Sequence, residues 1–343
     1  MMKTLVKKSK WRIYLEKRAN YKATIKRAKN YEYQQPQEDV AISIQHLHKF
    51  FKLGHGDFKT ALDDVCFDVK KGSFHGFIGD NGAGKTTTIR SILGFYPSKI
   101  GKIFINGIDS TNKKAKSFIG YIPEVSLFPR KVKVKEYLLA FAEMSNLKPE
   151  EAKEKVNFLL KKYHFDGPEF EKSAEQLSSG QKKTILLMQA LLNDPEILIM
   201  DEPAANLDPS ARVIFYEQIK ELSLQGKTIF ISSHILLELE RYIDSFTVLA
   251  KGKVLDNGTI KEKLHNAKYN KKINTNDNNK IVEYLIKNRI DFIEKHDWIN
   301  AKLDEEQVNK FLQYCLKNNI QIYNLADNKL SLNELYFNAE NVE

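Results

Sequence analysis

Gly79-Asp80-Asn81-Gly82-Ala83-Gly84-Lys85-Thr86 fits the spacing G-x-x-x-x-G-K-[ST], and the apolar run Phe74-His75-Gly76-Phe77-Ile78 before it has the composition of a buried strand. A strand, a glycine-rich turn and a helix opening near Lys85 follow from that order. The glycines let the backbone wrap phosphate oxygens so that successive N–H groups point inward, while the helix N-terminus adds its positive end. Lys85 supplies a mobile cation for the terminal phosphates and Thr86 a hydroxyl for Mg²⁺; Asp80, Asn81, Ala83 and Thr87 are read with them as one nucleotide-binding loop.

Working outward, Ile197-Leu198-Ile199-Met200 is a continuous apolar stretch that ends in Asp201-Glu202-Pro203. It reads as a buried parallel strand delivering two carboxylates at its carboxyl end, the edge where phosphates lie in such sheets. Asp201 is expected to hold Mg²⁺ and Glu202 to polarise the attacking water as general base. Just upstream stands a second Ser/Gly clip, Leu177-Ser178-Ser179-Gly180-Gln181. Two phosphate clips around one nucleotide imply a nucleotide shared between two protomers.

These motifs resemble the ATP-binding cassette (ABC) ATPases, in order, over roughly residues 41 to 260. The resemblance implies an α/β phosphate-loop NTPase core of ABC type with a helical subdomain at about residues 125–180, and hydrolysis of ATP with Mg²⁺. Leu177 to Gln181 is similar to the family's signature Leu-Ser-Gly-Gly-Gln, whose Ser and Gly contact ATP held by the opposite subunit. Ser179 stands where the family has Gly and is tolerable if its φ is negative. Asn206-Leu207-Asp208 resembles the loop linking the two sites, and Ser232-Ser233-His234 the histidine switch that senses the γ-phosphate. Phe51 occupies the place of the aromatic that stacks on adenine, with Phe58 as a rival. Glu124, in Gly120-Tyr121-Ile122-Pro123-Glu124, stands where many members carry a Gln that reaches Mg²⁺.

The rest of the chain sets the surroundings. Of 343 residues, 42% are hydrophobic, enough for one large domain and a small extra one. Cys66 and Cys315 are the two cysteines, so no disulfide framework is implied, and both read as buried thiols in a reducing compartment. No run of ~18 apolar residues occurs, so any membrane pore must be a separate polypeptide; the resemblance implies a multi-span permease as that partner and a place for this chain at the cytoplasmic face of the membrane. Residues 1–35 hold 11 Lys/Arg against Glu16 and Glu32, nearly all of the net charge of +10. Residues 1–40 therefore read as a basic arm and linker. Trp11, Tyr14, Leu15 and Ile25 interleave with the charges, which suits an anionic lipid surface, a partner subunit or a solvated tail. Nucleic acid is the weaker match, because 46 of the 54 basic residues are Lys and the bias runs through the whole chain.

Residues 41–264 are expected to form the ATPase domain. From 265 to 343 the pattern becomes β-α-β-β-α-β, that of a small ferredoxin-like α+β domain. Ser331 to Phe337 then resembles the closing segment of ATPases from two-component bacterial exporters. The function expected is the ATPase subunit of an exporter working as a homo- or heterodimer. The alternative is a non-transport ABC ATPase with a regulatory or nucleic-acid role through the arm.

Overall fold

The computed structural model describes residues 17–53, 58–97, 99–167, 173–265, 269–295 and 298–327. The chain divides after Gly258 into two units. The first opens with a helix at residues 17–28 (α1) and continues through β1 (Val40–Lys52), β2 (Phe58–Lys70), β3 (Phe74–Ile78), α2 (Lys85–Ile92), β4 (Ile100–Ile105), β5 (Ile108–Asp109), α3 (Lys113–Ser117) and β6 (Ile119–Ile122). Then come α4 (Val134–Met144), α5 (Pro149–Lys162), α6 (Ser179–Ala190), β7 (Ile197–Met200), α7 (Pro209–Leu224), β8 (Thr228–Ser233), α8 (Leu236–Leu239), β9 (Ser245–Ala250) and β10 (Lys253–Thr259).

Two sheets build this unit. One is six-stranded in the order β10-β9-β3-β8-β7-β6, with parallel pairing from β9 through β6. Strands β3, β7 and β8 are buried at every residue, as a sheet covered on both faces requires. The other, β2-β1-β4-β5, is antiparallel and one-sided. Along β2, Leu62, Val65, Phe67 and Val69 are buried while Asp64, Cys66, Asp68 and Lys70 face outward. The buried side chains of this sheet share one core with Ile89 and Ile92 of α2 and with Phe77, Ile197, Ile199 and Phe230 of the parallel sheet.

One expectation changes here. Cys66 is exposed, because strict alternation along β2 puts it on the face of Asp64 and Asp68. The ends of β1 and β2 pair with each other, Lys52 against Phe58 and Phe51 against Lys59. Trp11, Tyr14 and Leu15 of the arm lie outside the described residues. Helix α1 turns Tyr21, Thr24 and Ala28 inward, and Tyr21 stacks on Phe58 at 4.6 Å and meets Phe50 edge-on at 5.0 Å. Lys17, Arg18, Lys22, Lys26 and Arg27 point outward.

Between β6 and β7, α4, α5 and α6 make the helical part. Pro149 at the first position of α5, Glu150 and Glu151 in its first turn and Lys161 and Lys162 in its last follow the helix dipole. The second unit comprises α9 (Ile260–His265), β11 (Lys271–Thr275), α10 (Asn278–Lys287), β12 (Phe292–Lys295), β13 (Trp298–Ala301), α11 (Glu305–Lys317) and β14 (Ile322–Asp327). Its sheet runs β12-β13-β11-β14, antiparallel throughout, with the two halves of the chain crossing at the centre as in ferredoxin-like folds. Ile273, Ile281, Leu285, Ile299, Phe311 and Cys315 form its core. The segment Ser331 to Phe337 lies outside the described residues.

His75 on β3 is buried, its Nδ1 2.8 Å from Ser245 Oγ and its Nε2 3.0 Å from Thr247 Oγ1 on β9. Burial lowers its pKa to about 3, so the folded chain holds the ring neutral while the unfolded chain protonates it below about 6.5. The contribution is complete above the unfolded pKa and is lost as pH falls through that window. Between pH 7 and pH 5 the protein should lose about 2 kcal/mol more stability than His75→Gln, measured by urea denaturation at both pH values. Equal acid sensitivity of the two proteins would contradict this.

Candidate nucleotide-binding site

The parallel strands bring four loops to one edge. The loop after β3 carries Gly79 to Gly84, that after β8 carries His234, that after β7 carries Asp201 and Glu202, and that after β6 carries Glu124. The glycines of the first loop are needed for space and for backbone shape. A Cβ on Gly79 would lie 2.2 Å from the Leu249 carbonyl oxygen, and Gly84 caps α2 with φ 116° and leaves room for Leu62. Gly82 also has positive φ, 83°.

Lys85 is buried and donates from Nζ to the carbonyl oxygens of Gly79 (2.6 Å) and Asp80 (3.1 Å), with Glu202 Oε1 at 3.0 Å. Thr86 Oγ1 donates to Asp201 Oδ1 at 3.2 Å. Burial raises the pKa of Asp201, and hydrogen bonds from Ser232 and Thr86 offset only part of that. A hydroxyl and a buried carboxylate meeting at one point fit a small hard cation, which would relieve the burial of that charge. Glu202 has φ 41°, a left-handed backbone for a non-glycine residue, and its N–H donates to Ser232 Oγ at 2.9 Å. Its Oε2 lies 2.6 Å from His234 Nδ1. Burial alone would raise the pKa of Glu202, but Lys85 and His234 outweigh it and the net shift is downward.

Phe51, Asn81, Gly82, Gly84, Lys85, Thr86, Thr87, Glu124 and Glu202 line one cleft of about 410 Å³, together with Lys59, Thr60, Ala61 and Lys251. Phe51 reaches it and Phe58 does not, its face being taken by Tyr21. Asp80 and Ala83 shape the loop through backbone bonds, Ala83 N–H donating to Asp80 O. Ser178, Ser179, Gly180, Gln181 and Asp208 stand outside the cleft lining. Ser178 caps α6 and Gln181 answers it, Gln181 N–H donating to Ser178 Oγ at 3.2 Å and Ser178 N–H to Gln181 Oε1 at 3.0 Å. Ser179 is the first residue of that helix and is not among the positive-φ residues, so the side chain in place of Gly costs no strain. Gly180 is different, since a Cβ there would come within 2.8 Å of Ala211. Asp208 caps α7 by accepting from Ala211 N–H.

The ABC transporter family model matches residues 62–205. An ABC transporter ATP-binding protein of Mycoplasma pneumoniae is 44% identical over 238 residues, which are 69% of this chain and 72% of that one. The chain belongs to the ABC transporter ATP-binding proteins. A Nod factor export ATP-binding protein I of Sinorhizobium fredii is 34% identical over 226 residues, 64% of this chain and 63% of that one. The solved ATP-binding subunit of an ABC transporter matches at 30% identity and TM-score 0.58, covering 66% of this chain and 92% of that one.

Within this ABC ATPase, sequence reasoning gave no role to Ser232 or Lys183. Lys183 on α6 is buried and donates to the carbonyl oxygens of Pro123 (2.7 Å) and Glu124 (2.6 Å), and burial lowers its pKa to about 8. In a lysine-rich chain one buried Lys carries no sequence signal of its own. Ser232 is buried and joins both carboxylate residues, donating to Asp201 Oδ1 at 2.9 Å while accepting from Glu202 N–H. Its place just before Ser233-His234 is the only clue. Ser232→Ala leaves a buried N–H without its acceptor at a left-handed residue, and should cost about 1–3 kcal/mol in urea denaturation. A change below about 0.5 kcal/mol, as at ordinary surface sites, would show that the bridge does not hold Glu202.

Proposed function

We propose that the chain binds and hydrolyses ATP with Mg²⁺ and that hydrolysis drives export through a separate membrane-spanning partner. The observation that carries this reading is the meeting of Lys85, Thr86, Asp201, Glu202 and His234 at one strand edge, beside a cleft with an aromatic wall at Phe51. Phe51 stacks on the base, and the loop N–H groups with Lys85 hold the phosphates. Thr86 and Asp201 hold Mg²⁺, which when bound neutralises phosphate charge; Glu124 faces the same cleft and offers a further carboxylate. Glu202 takes a proton from the attacking water, and His234 orients it and faces the γ-phosphate. Phosphates that draw Lys85 away from Glu202 remove the main group holding its pKa down, so substrate binding itself makes the base stronger.

Ser178, Ser179, Gly180 and Gln181 lie at the capped start of α6, away from their own cleft, and Ser178 and Ser179 are exposed. In the same reading they complete the site of a second copy or a related subunit, with Asp208 between the two sites. Exposed Val125 and Leu127 follow Glu124 in the chain, exposed Phe95 meets Tyr121 edge-on at 6.3 Å, and these apolar side chains suit the cytoplasmic surface of a permease; among the described residues no helix is long and apolar enough to cross a membrane. The name of the Nod factor export relative favours export. The outward basic face of α1 suits anionic lipid headgroups beside that partner.

Glu202→Gln should keep ATP binding while ATPase falls by roughly 10²-fold or more, the worth of a positioned general base, and should accumulate as an ATP-bound dimer on size-exclusion chromatography. Near wild-type turnover would remove Glu202 from the reaction. Ser178→Arg should abolish hydrolysis with each chain's own ATP affinity intact. Mixed with Lys85→Ala, it should regain at most one working composite site per dimer; normal ATPase in Ser178→Arg alone would rule out the shared site.

A further inference from the structure

Away from the nucleotide cleft, two irregularities in the β1–β2 pairing bring three side chains of different donor type together. The register slips between Ile44 and Leu47 and again between Leu47 and Lys49. On each side of that slip a residue other than Gly adopts a left-handed backbone, His46 with φ 51° and Asp64 with φ 59°. His46 Nδ1 lies 2.8 Å from Asp64 Oδ1, and the thiol of Cys66 lies 3.7 Å from His46 Nδ1 and 3.9 Å from Asp64 Oδ1. These three ligand atoms lie within 4.8 Å of one another. We propose that His46, Asp64 and Cys66 form a binding site for a zinc-class divalent transition-metal ion, with a fourth position open to solvent.

The distances decide between a chance cluster and a coordination set. Tetrahedral zinc, with metal–sulfur at about 2.3 Å and metal–nitrogen or metal–oxygen at about 2.0–2.2 Å, has sulfur-to-nitrogen and sulfur-to-oxygen edges of about 3.5 Å and a nitrogen-to-oxygen edge of about 3.3 Å. The two sulfur edges are already within a few tenths of an ångström of that. Only the hydrogen-bonded His46–Asp64 edge must open, by about half an ångström, and Asp64 is exposed and able to move. Imidazole, carboxylate and thiol together select a borderline metal over Mg²⁺ or Ca²⁺, which prefer oxygen alone. Binding releases the thiol proton of Cys66 and any proton that His46 shares with Asp64.

The surroundings hold the ligands in place. Tyr31 stacks on His46 with ring centroids 4.2 Å apart and planes 10° apart. The Tyr31 hydroxyl lies 3.1 Å from His48 Nε2, and the Asp64 N–H donates to His48 Nδ1 at 3.2 Å. Buried His48 also places Nε2 3.7 Å from Asp64 Oδ1. Through the Asp64 N–H it anchors the left-handed backbone that carries the ligand carboxylate. None of the three ligands lines the nucleotide cleft.

The test uses the full-length chain, stripped with a chelator and titrated with ZnCl₂ against a chromophoric competitor, without nucleotide. The expected result is stoichiometric Zn²⁺ binding that weakens about 100-fold or more in Cys66→Ser and in His46→Asn, and about 10- to 100-fold in His48→Gln. Asn tolerates the left-handed backbone at position 46, so that variant keeps the fold, which retained ATPase would confirm. Cys315→Ser should bind as the parent does. With Co²⁺ as the probe, a thiolate-to-metal charge-transfer band should appear and vanish in Cys66→Ser. Absence of stoichiometric Zn²⁺ binding, or binding that persists undiminished in both Cys66→Ser and His46→Asn, would overturn the site.

Discussion

The register of the central parallel strands governs the rest of the molecule. Pairing sets Ile78 of β3 opposite Ser233 of β8, and Met200 of β7 opposite Ile231. The three chains thus leave the sheet within a residue or two of one level. Gly79 N–H is tied to Ser233 O, and Asp201 N–H to Ile122 O at the end of β6. A slip of one residue in any of these ladders would reverse the facing of every side chain beyond it. The strands resist such a slip because their buried polar side chains find partners only in this register, His75 of β3 meeting Ser245 and Thr247 of β9 and Ser232 of β8 meeting Asp201.

Charge at the site is balanced by competition for few partners. One ammonium serves two loop carbonyls and a carboxylate, and one serine hydroxyl serves a carboxylate and the backbone of the next residue. Each of these groups is buried enough that a lost partner is not replaced cheaply by water. The arrangement is consequently sensitive to anything that recruits one member, and a polyanion entering the cleft recruits Lys85 first.

Much of this was legible in the sequence because the site is written in short local motifs. Gly79 to Thr86, Asp201-Glu202 and Leu177 to Gln181 each carry their chemistry within eight residues, and the apolar strands before the first two announce their place in a parallel sheet. The alternation of the second unit likewise gave its β-α-β-β-α-β order. What escaped depends on contacts between distant segments. Cys66 sits in a run that looks apolar, and only its pairing with β1 shows which face it takes. That Phe51 lines the cleft while Phe58 packs elsewhere depends on Tyr21, 37 residues earlier in the chain than Phe58. Lys183 is one lysine among many until its carbonyl partners 59 and 60 residues away are known.

Lys183 also has a mechanical meaning. Its ammonium clasps the two carbonyls of the loop where β6 ends, and it does so from the same helix whose first turn displays Ser178 and Ser179. Lys183 stands five positions along the helix from Ser178, a span of about 7.5 Å along the axis. A push on the Pro123-Glu124 loop from outside is therefore borne by α6 close to its tip rather than dissipated in a slack connection. The helix acts as a short lever with its handle at one protein surface and its working end at another.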